Sequence, residues 1–209
     1  GVTWFYELMV DWLTFTQWQI VFLILVLPAF AHGGLRLGLL AVVAIGSWLV
    51  LDMWDEAMET LSLMCISIAI SVMIGVLLGI VASQSDRFEA FVKPILDTMQ
   101  TLPAFIYLIP AFYLFGLGAP GAILATVIYA LPPVVRLTNL GIRQVPEGID
   151  EAATSFGATR VQLLIKIKIP LAMPAIKLGV NQTVMMALAL VLSLIHISEP
   201  TRRTPISYA

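Results

Sequence analysis

Between Thr98 and Val135 the chain carries no charged residue, and the same holds from Thr60 to Ser83. Uncharged apolar stretches of that length cannot be folded into water. A helix needs about 20 apolar residues to cross a bilayer core, so the second stretch suits one span and the first is too long for one. Across the 209 residues, 60% are hydrophobic and 11% charged. Soluble domains hold about 45–50% and about 25%, so charge is too scarce here to cover a globule. Disorder needs the opposite balance. A single cysteine, Cys65, excludes a disulfide scaffold. A net charge of −2 argues against a nucleic-acid partner. The runs are continuous rather than alternating, which favours helices over a β-barrel. The composition therefore specifies an all-α, polytopic helical membrane protein.

The end of the chain is set apart from this reading. Residues 192–202, LSLIHISEPTR, resemble the translation of a transposase adapter used in sequencing libraries. After three residues, ISYA at 206–209 resembles the adjoining primer. Residues 192–209 are therefore expected to be foreign, with native sequence ending near Val191 and the last span cut short. Gly1 in place of a Met adds the expectation that the N-terminus is also incomplete.

About six spans are expected. Two short ones, Trp18–His32 and Leu37–Leu51, are divided by Gly33-Gly34. Thr60–Ser83 is the third. Gly116, Gly118 and Pro120 divide the long run into Thr98–Phe115 and Gly121–Val135, and a sixth begins near Ala175. Lys and Arg set orientation. Arg36, then Arg87 and Lys93, then Arg136, Arg143, Arg160, Lys166 and Lys168 fall on one side once six spans alternate, and the loops at 1–17 and 52–59 hold only acids. This places the N-terminus outside and the 136–175 loop in the cytoplasm. Gly34–Gly38 and Gly75–Gly79 have the spacing that permits close helix approach. Pro103, Pro110, Pro132 and Pro133 are expected to interrupt the central spans, as broken helices do where a pathway or packed protein satisfies the backbone.

The 136–175 loop carries helical signals of its own. Pro146 suits a first helical position, and Glu147 and Asp150 favour the positive end of the dipole. Gly157 suits a C′ stop. Thr159 with Gln162 has capping-box spacing, and Pro170 is expected to end the second helix. The result is a helical hairpin outside the membrane, a handle by which a soluble partner could move the spans. Ala152 and Ala153 offer a small face to such a partner and Glu151 a charge. Arg160, Lys166 and Lys168 would equally suit anionic lipid.

Glu151-Ala152-Ala153, three residues, Gly157, nine residues, then Ile167-Lys168-Ile169-Pro170 resembles the EAA loop of binding-protein-dependent ABC importer permeases. Ile169 stands where the pattern has leucine. The stretches Asp97–Pro110, Ala130–Thr138 and Pro170–Thr183 are similar to the quaternary-amine branch, whose members carry glycine betaine, proline betaine, choline and related osmolytes. The resemblance covers Trp54 to Val191. It divides the chain into an N-terminal segment at 1–53, a truncated permease core at 54–191 and the adapter-like tail at 192–209.

The resemblance implies a type I ABC importer permease in the cytoplasmic membrane of a prokaryote. It implies a separate ATPase subunit that binds ATP and Mg, a second permease copy as a homodimer, and an extracytoplasmic binding protein. Glu151, Ala152, Ala153, Gly157, Ile167 and Pro170 would form the ATPase-coupling site. No phosphate loop of the GxxxxGK[ST] type is present, so no catalytic residue, cofactor or metal ligand is assigned to this chain. Pro103, Tyr107, Pro110, Asn181 and Gln182 are candidates for the substrate pathway, since aromatic faces attract quaternary ammonium ions. An ABC permease for another small solute, a secondary transporter or channel, and a non-transporting scaffold are the alternatives. A secondary transporter would show inverted repeats or intramembrane charges.

Overall fold

In the computed structural model the described residues are 2–15, 18–103, 105–116 and 118–203. Side chains are described for these except Val2, Thr14, Phe15, Phe105 and residues 192–203. Among the described residues there is no strand. The order is α1 (Val2–Phe15), α2 (Trp18–Val50), α3 (Trp54–Gln84), α4 (Asp86–Thr101), α5 (Phe105–Phe115), α6 (Ala119–Arg143), α7 (Glu147–Ser155), α8 (Arg160–Leu163), a π-helical turn (Leu164–Lys168) and α9 (Ile169–Arg203). The chain divides into two units, Gly1–Ile66 and Ser67–Ala209.

In the first unit, the two short spans expected at 18–51 form one element. Helix α2 runs through Gly33 and departs from helical geometry only at Gly34 (φ 68°, ψ −170°). The division falls where it was expected, but as a kink and not a loop. A left-handed φ is cheap only for glycine, and a Cβ at Gly34 would meet nothing. Gly38 lies under the Phe30 ring of the same helix. The Gly34–Gly38 spacing therefore falls where the two halves of the kinked helix meet, Gly38 on one side against Phe30 on the other.

In the second unit α6 is the central element, and its partners fix the chain direction. The Ser71 hydroxyl of α3 lies 3.4 Å from the Val127 carbonyl, Gly75 lies against Val134, and Gly79 lies against Thr138 and Val135. Rising numbers on both sides make α3 and α6 parallel. On α9 the order reverses: Gly141 faces Ala172 and Ala175, Gly179 faces Val134 and Leu137, and the Thr183 hydroxyl donates to the Ala130 carbonyl at 3.0 Å. That parity is the one expected for spans three, five and six. A Cβ on Gly79 would lie 2.6 Å from the Thr138 Cβ and 2.8 Å from the Val135 oxygen, so glycine is what admits the approach.

The chain returns from the end of α3 to the start of α6 through α4 and α5. The expected span Thr98–Phe115 is not one helix. It breaks at Leu102-Pro103, where Leu102 is extended (φ −75°, ψ 136°), and α4 meets the axis of α5 at 99°. Pro103 is the cause, because proline pushes the preceding residue out of the helical region. The other expected interruptions do not occur. Pro110 lies within α5, and Pro132 and Pro133 lie within α6. Prolines 132 and 133 leave carbonyls without an intrahelical donor, and this part of α6 is packed tightly between α3 and α9, as broken backbone in a membrane requires.

Among the described residues three helices, α2, α3 and α6, are long and apolar enough to cross a bilayer, and α4 with α5 adds a fourth if the bent pair is one crossing. The expected six exceed this for two reasons. Two expected spans fall on α2. The sixth falls on α9, whose side chains beyond Val191 are outside the described set; residues 204–209 of the adapter-like stretch are outside it altogether.

Candidate functional site: the α7–α8 hairpin and its connection to α9

The hairpin forms because each end is capped by its own sequence. Pro146 takes the N-cap of α7, one residue before the expected first position, with Glu147 and Asp150 in the first turn. The C-terminus closes in a Schellman arrangement. The Ala158 N–H donates to the Ala153 carbonyl at 3.0 Å, and the Gly157 N–H to the Thr154 carbonyl at 2.9 Å. Gly157 adopts φ 80°, a left-handed conformation that a Cβ disfavours. Helix α8 opens with a complete capping box. The Thr159 N–H donates to Gln162 Oε1 at 2.9 Å and the Gln162 N–H to Thr159 Oγ1 at 3.3 Å.

Pro170 does not end the second helix. The chain passes from α8 through the π-helical turn directly into α9, with the Ile169 N–H bonded to the Leu164 carbonyl. Pro170 sits in the first turn of α9. A π turn widens the coil by one residue, which lets the proline ring sit without clashing with the carbonyl four residues earlier. The hairpin is therefore continuous, through helix, with the element that packs along α6.

Glu151, Ala152, Gly157 and Pro170 are exposed and Ile167 is half-buried. Ala153 is buried, so the open face has one alanine and not two. Phe156 is 93% exposed beside Gly157, and Val161 and Ile165 are also exposed. These three apolar residues were not singled out by the sequence. Lys168 pairs with Asp150 at 2.5 Å, tying the π turn to α7. That pair takes Lys168 out of the basic set expected to be free for lipid.

The pathway candidates are scattered. Pro103 and Pro110 are exposed. The Tyr107 hydroxyl donates to the Met99 carbonyl at 2.7 Å, bridging the α4–α5 bend, and its ring lies 6.2 Å from that of Tyr129. Asn181 and Gln182 are exposed on α9, and among the described residues no hydrogen bond joins them to the Tyr107 region.

A polar clasp between α4 and α6 was missed. Arg143 reaches Asp86 at 2.7 Å, Glu89 at 3.1 Å, the Ala82 carbonyl at 3.0 Å and Asn139 Oδ1 at 3.0 Å. Asn139 donates to Glu89 at 2.8 Å, and Arg136 pairs with Asp97. The signal was available. Positions 86, 89, 93 and 97 and positions 136, 139 and 143 each recur at helical spacing, which puts each set on one face.

Residues 71–200 match the family model of the binding-protein-dependent transport system inner membrane component. The chain belongs to that family. It is a multi-pass membrane component. It is 43% identical over 175 residues to the glycine betaine/proline betaine transport system permease protein ProW of Escherichia coli, covering 82% of this chain and 49% of the relative. It is 45% identical over 150 residues to the glycine betaine transport system permease protein OpuAB of Bacillus subtilis, covering 72% and 53%. To the glycine betaine/carnitine transport permease protein GbuB of Listeria monocytogenes the identity is 46% over 160 residues, covering 76% and 57%. The chain thus spans about half the length of the curated relatives it matches.

Proposed function

We propose that this chain is the membrane-spanning permease subunit of an ATP-driven importer of glycine betaine-type quaternary amines. The substrates named for the relatives support the substrate class. The observation that carries the mechanism is the continuous helical path from the hairpin into α9. A rigid-body push on α7–α8 is delivered to α9 without passing through a loop, and α9 moves against α6.

In this reading a separate ATPase binds ATP and Mg and seats on the exposed hairpin. Glu151, Ala152 and Gly157 meet it directly, with Phe156 as the apolar anchor. Ala153, Ile167 and Pro170 shape the handle from within: Ala153 packs inward, and Ile167 and Pro170 lie along the π turn and its exit. A second copy of the chain completes the membrane path, an extracytoplasmic binding protein delivers the solute, and the N-terminus lies outside. Tyr107, with Tyr129 beside it, and Asn181 and Gln182 would line that path together with Pro103 and Pro110. The protein itself performs no hydrolysis.

The test is uptake of labelled glycine betaine by cells carrying the chain with its ATPase and binding protein. Gly157→Asp is expected to abolish uptake and co-purification of the ATPase while membrane insertion persists. Normal uptake and normal co-purification in that variant would overturn the coupling site. Uptake that follows an ion gradient and persists without the ATPase would overturn the ABC reading in favour of a secondary transporter.

A further inference from the structure

The two arginines of the α4–α6 clasp are unequally satisfied. Arg143 uses Nε, Nη1 and Nη2 on four partners. Arg136 reaches Asp97 through Nη2 alone, and its Nε has no partner. Among the described residues Lys93 makes no ion pair within 4.0 Å, although Glu89 and Asp97 lie one turn away on either side. Of the six charged groups here, Asp86 and Glu89 are engaged by Arg143 and Asp97 by Arg136. Lys93 and most of the Arg136 fork are left over.

Both unspent cations line one cavity of about 210 Å³ between α4 and α6. At about 30 Å³ per water, that space holds a phosphate and its immediate substituents and not a whole lipid. Its walls are otherwise mainly apolar: Val92, Leu96, Val135 and Leu140. Of these, Leu140 is exposed. In a chain that spans a membrane, exposed apolar side chains of this kind face acyl chains. Two cations with unspent donors among apolar walls match an anion that carries its own hydrocarbon.

We propose that the α4–α6 groove binds the headgroup of an anionic membrane phospholipid, with the phosphate held by Lys93 and Arg136 and the chains leaving past Leu140. Arg136 retains Asp97 and offers its remaining donors to phosphate, in the charge-assisted geometry that guanidinium favours. Glu89, which also lines the cavity, disfavours multiply charged soluble anions such as nucleotides.

The experiment is native mass spectrometry of the detergent-purified full chain, titrated with phosphatidylglycerol, phosphatidylcholine and glycerol 3-phosphate. Phosphatidylglycerol is expected to be retained over phosphatidylcholine, and Lys93→Gln is expected to lower its retention about fivefold, the worth of one basic residue at a lipid surface. Lys177→Gln, on α9 and outside the groove, is expected to leave retention unchanged. Lys93 is exposed, and among the described residues its side chain makes no hydrogen bond, so its loss spares the fold. Leu140→Trp, which fills the groove without touching charge, should lower retention as well. Retention unchanged from the parent chain in Lys93→Gln and Leu140→Trp overturns the proposal, as does a loss in Lys177→Gln equal to that in Lys93→Gln. Glycerol 3-phosphate binding as strongly as the lipid would also overturn it, by showing a soluble-anion site.

Discussion

The α3–α6–α9 bundle and the α7–α8 hairpin belong to one unit and share a continuous helix, yet they are held in opposite ways. In the bundle every decisive contact is long-range. Gly79 admits Thr138, Gly141 admits Ala175, and the Thr183 hydroxyl crosses 53 positions to Ala130. In the hairpin the bonds that shape it span three to five residues: the Schellman closure at Gly157 and the box at Thr159. Only the Asp150–Lys168 pair reaches further. The bundle is apolar surface excluded from lipid by backbone proximity. The hairpin is a set of caps with its small, charged and aromatic side chains left open. One region is built to stay packed and the other to be gripped.

Substitutions should separate the two. Gly79→Leu is expected to have the largest effect, because a Cβ there meets the Val135 backbone oxygen at 2.8 Å, which cannot move aside as a side chain would. Overpacking costs about 1–3 kcal/mol and sometimes more, so the detergent-solubilised protein should lose most of its thermal unfolding transition. An unchanged midpoint would show that the α3–α6 approach is not close.

Arg143→Ala comes next. It removes four contacts at once and leaves Glu89 half-buried without its cation, at about 1.5–3 kcal/mol. Hydrogen exchange should rise in α4 and in the last turns of α6 while the hairpin stays protected.

Gly157→Ala is smaller and confined. Its Cβ would meet nothing within 4 Å, so the cost is the φ of 80° alone, about 1–2 kcal/mol. Exchange should accelerate at Ala158 and Thr154 with the global midpoint nearly unchanged. A global shift would mean that the hairpin is part of the packed core.

Thr159→Ala should cost about 1 kcal/mol, visible as faster exchange at Gln162 and nowhere in α3. Together the four variants would fail to break the comparison only if bundle changes stay global and hairpin changes stay local.

The hairpin was legible almost residue by residue. Capping is a contract between neighbours, so Gly157 as a C′ residue and Thr159–Gln162 as a box could be read from spacing. Pro170 was misread because the reading assumed an α-helical coil. A π turn, which the sequence does not announce, absorbs the ring. Ala153 was misread for the opposite reason. Its burial depends on how the hairpin folds back, which no local rule supplies. The clasp between Asp86, Glu89, Asp97 and Arg136, Asn139, Arg143 was visible only as two separate charge patterns. Nothing local said that the two helices face each other.

By itself the sequence determined that the chain is helical and membrane-embedded, because 38 successive uncharged residues from Thr98 to Val135 have no stable place in water. It also determined the hairpin and its caps, because those bonds close within a few residues. Only the tertiary structure decided which glycines serve packing. Gly75 and Gly79 sit against α6, while Gly34 marks a kink within α2, and the two pairs have identical spacing. It alone decided that Pro103 breaks a helix while Pro132 and Pro133 are carried inside one, since a proline in lipid survives where neighbouring helices pack against the backbone it disturbs. It alone left Lys93 and Arg136 unspent beside a cavity, because the pairing of charges across helices depends on distances that no stretch of sequence contains.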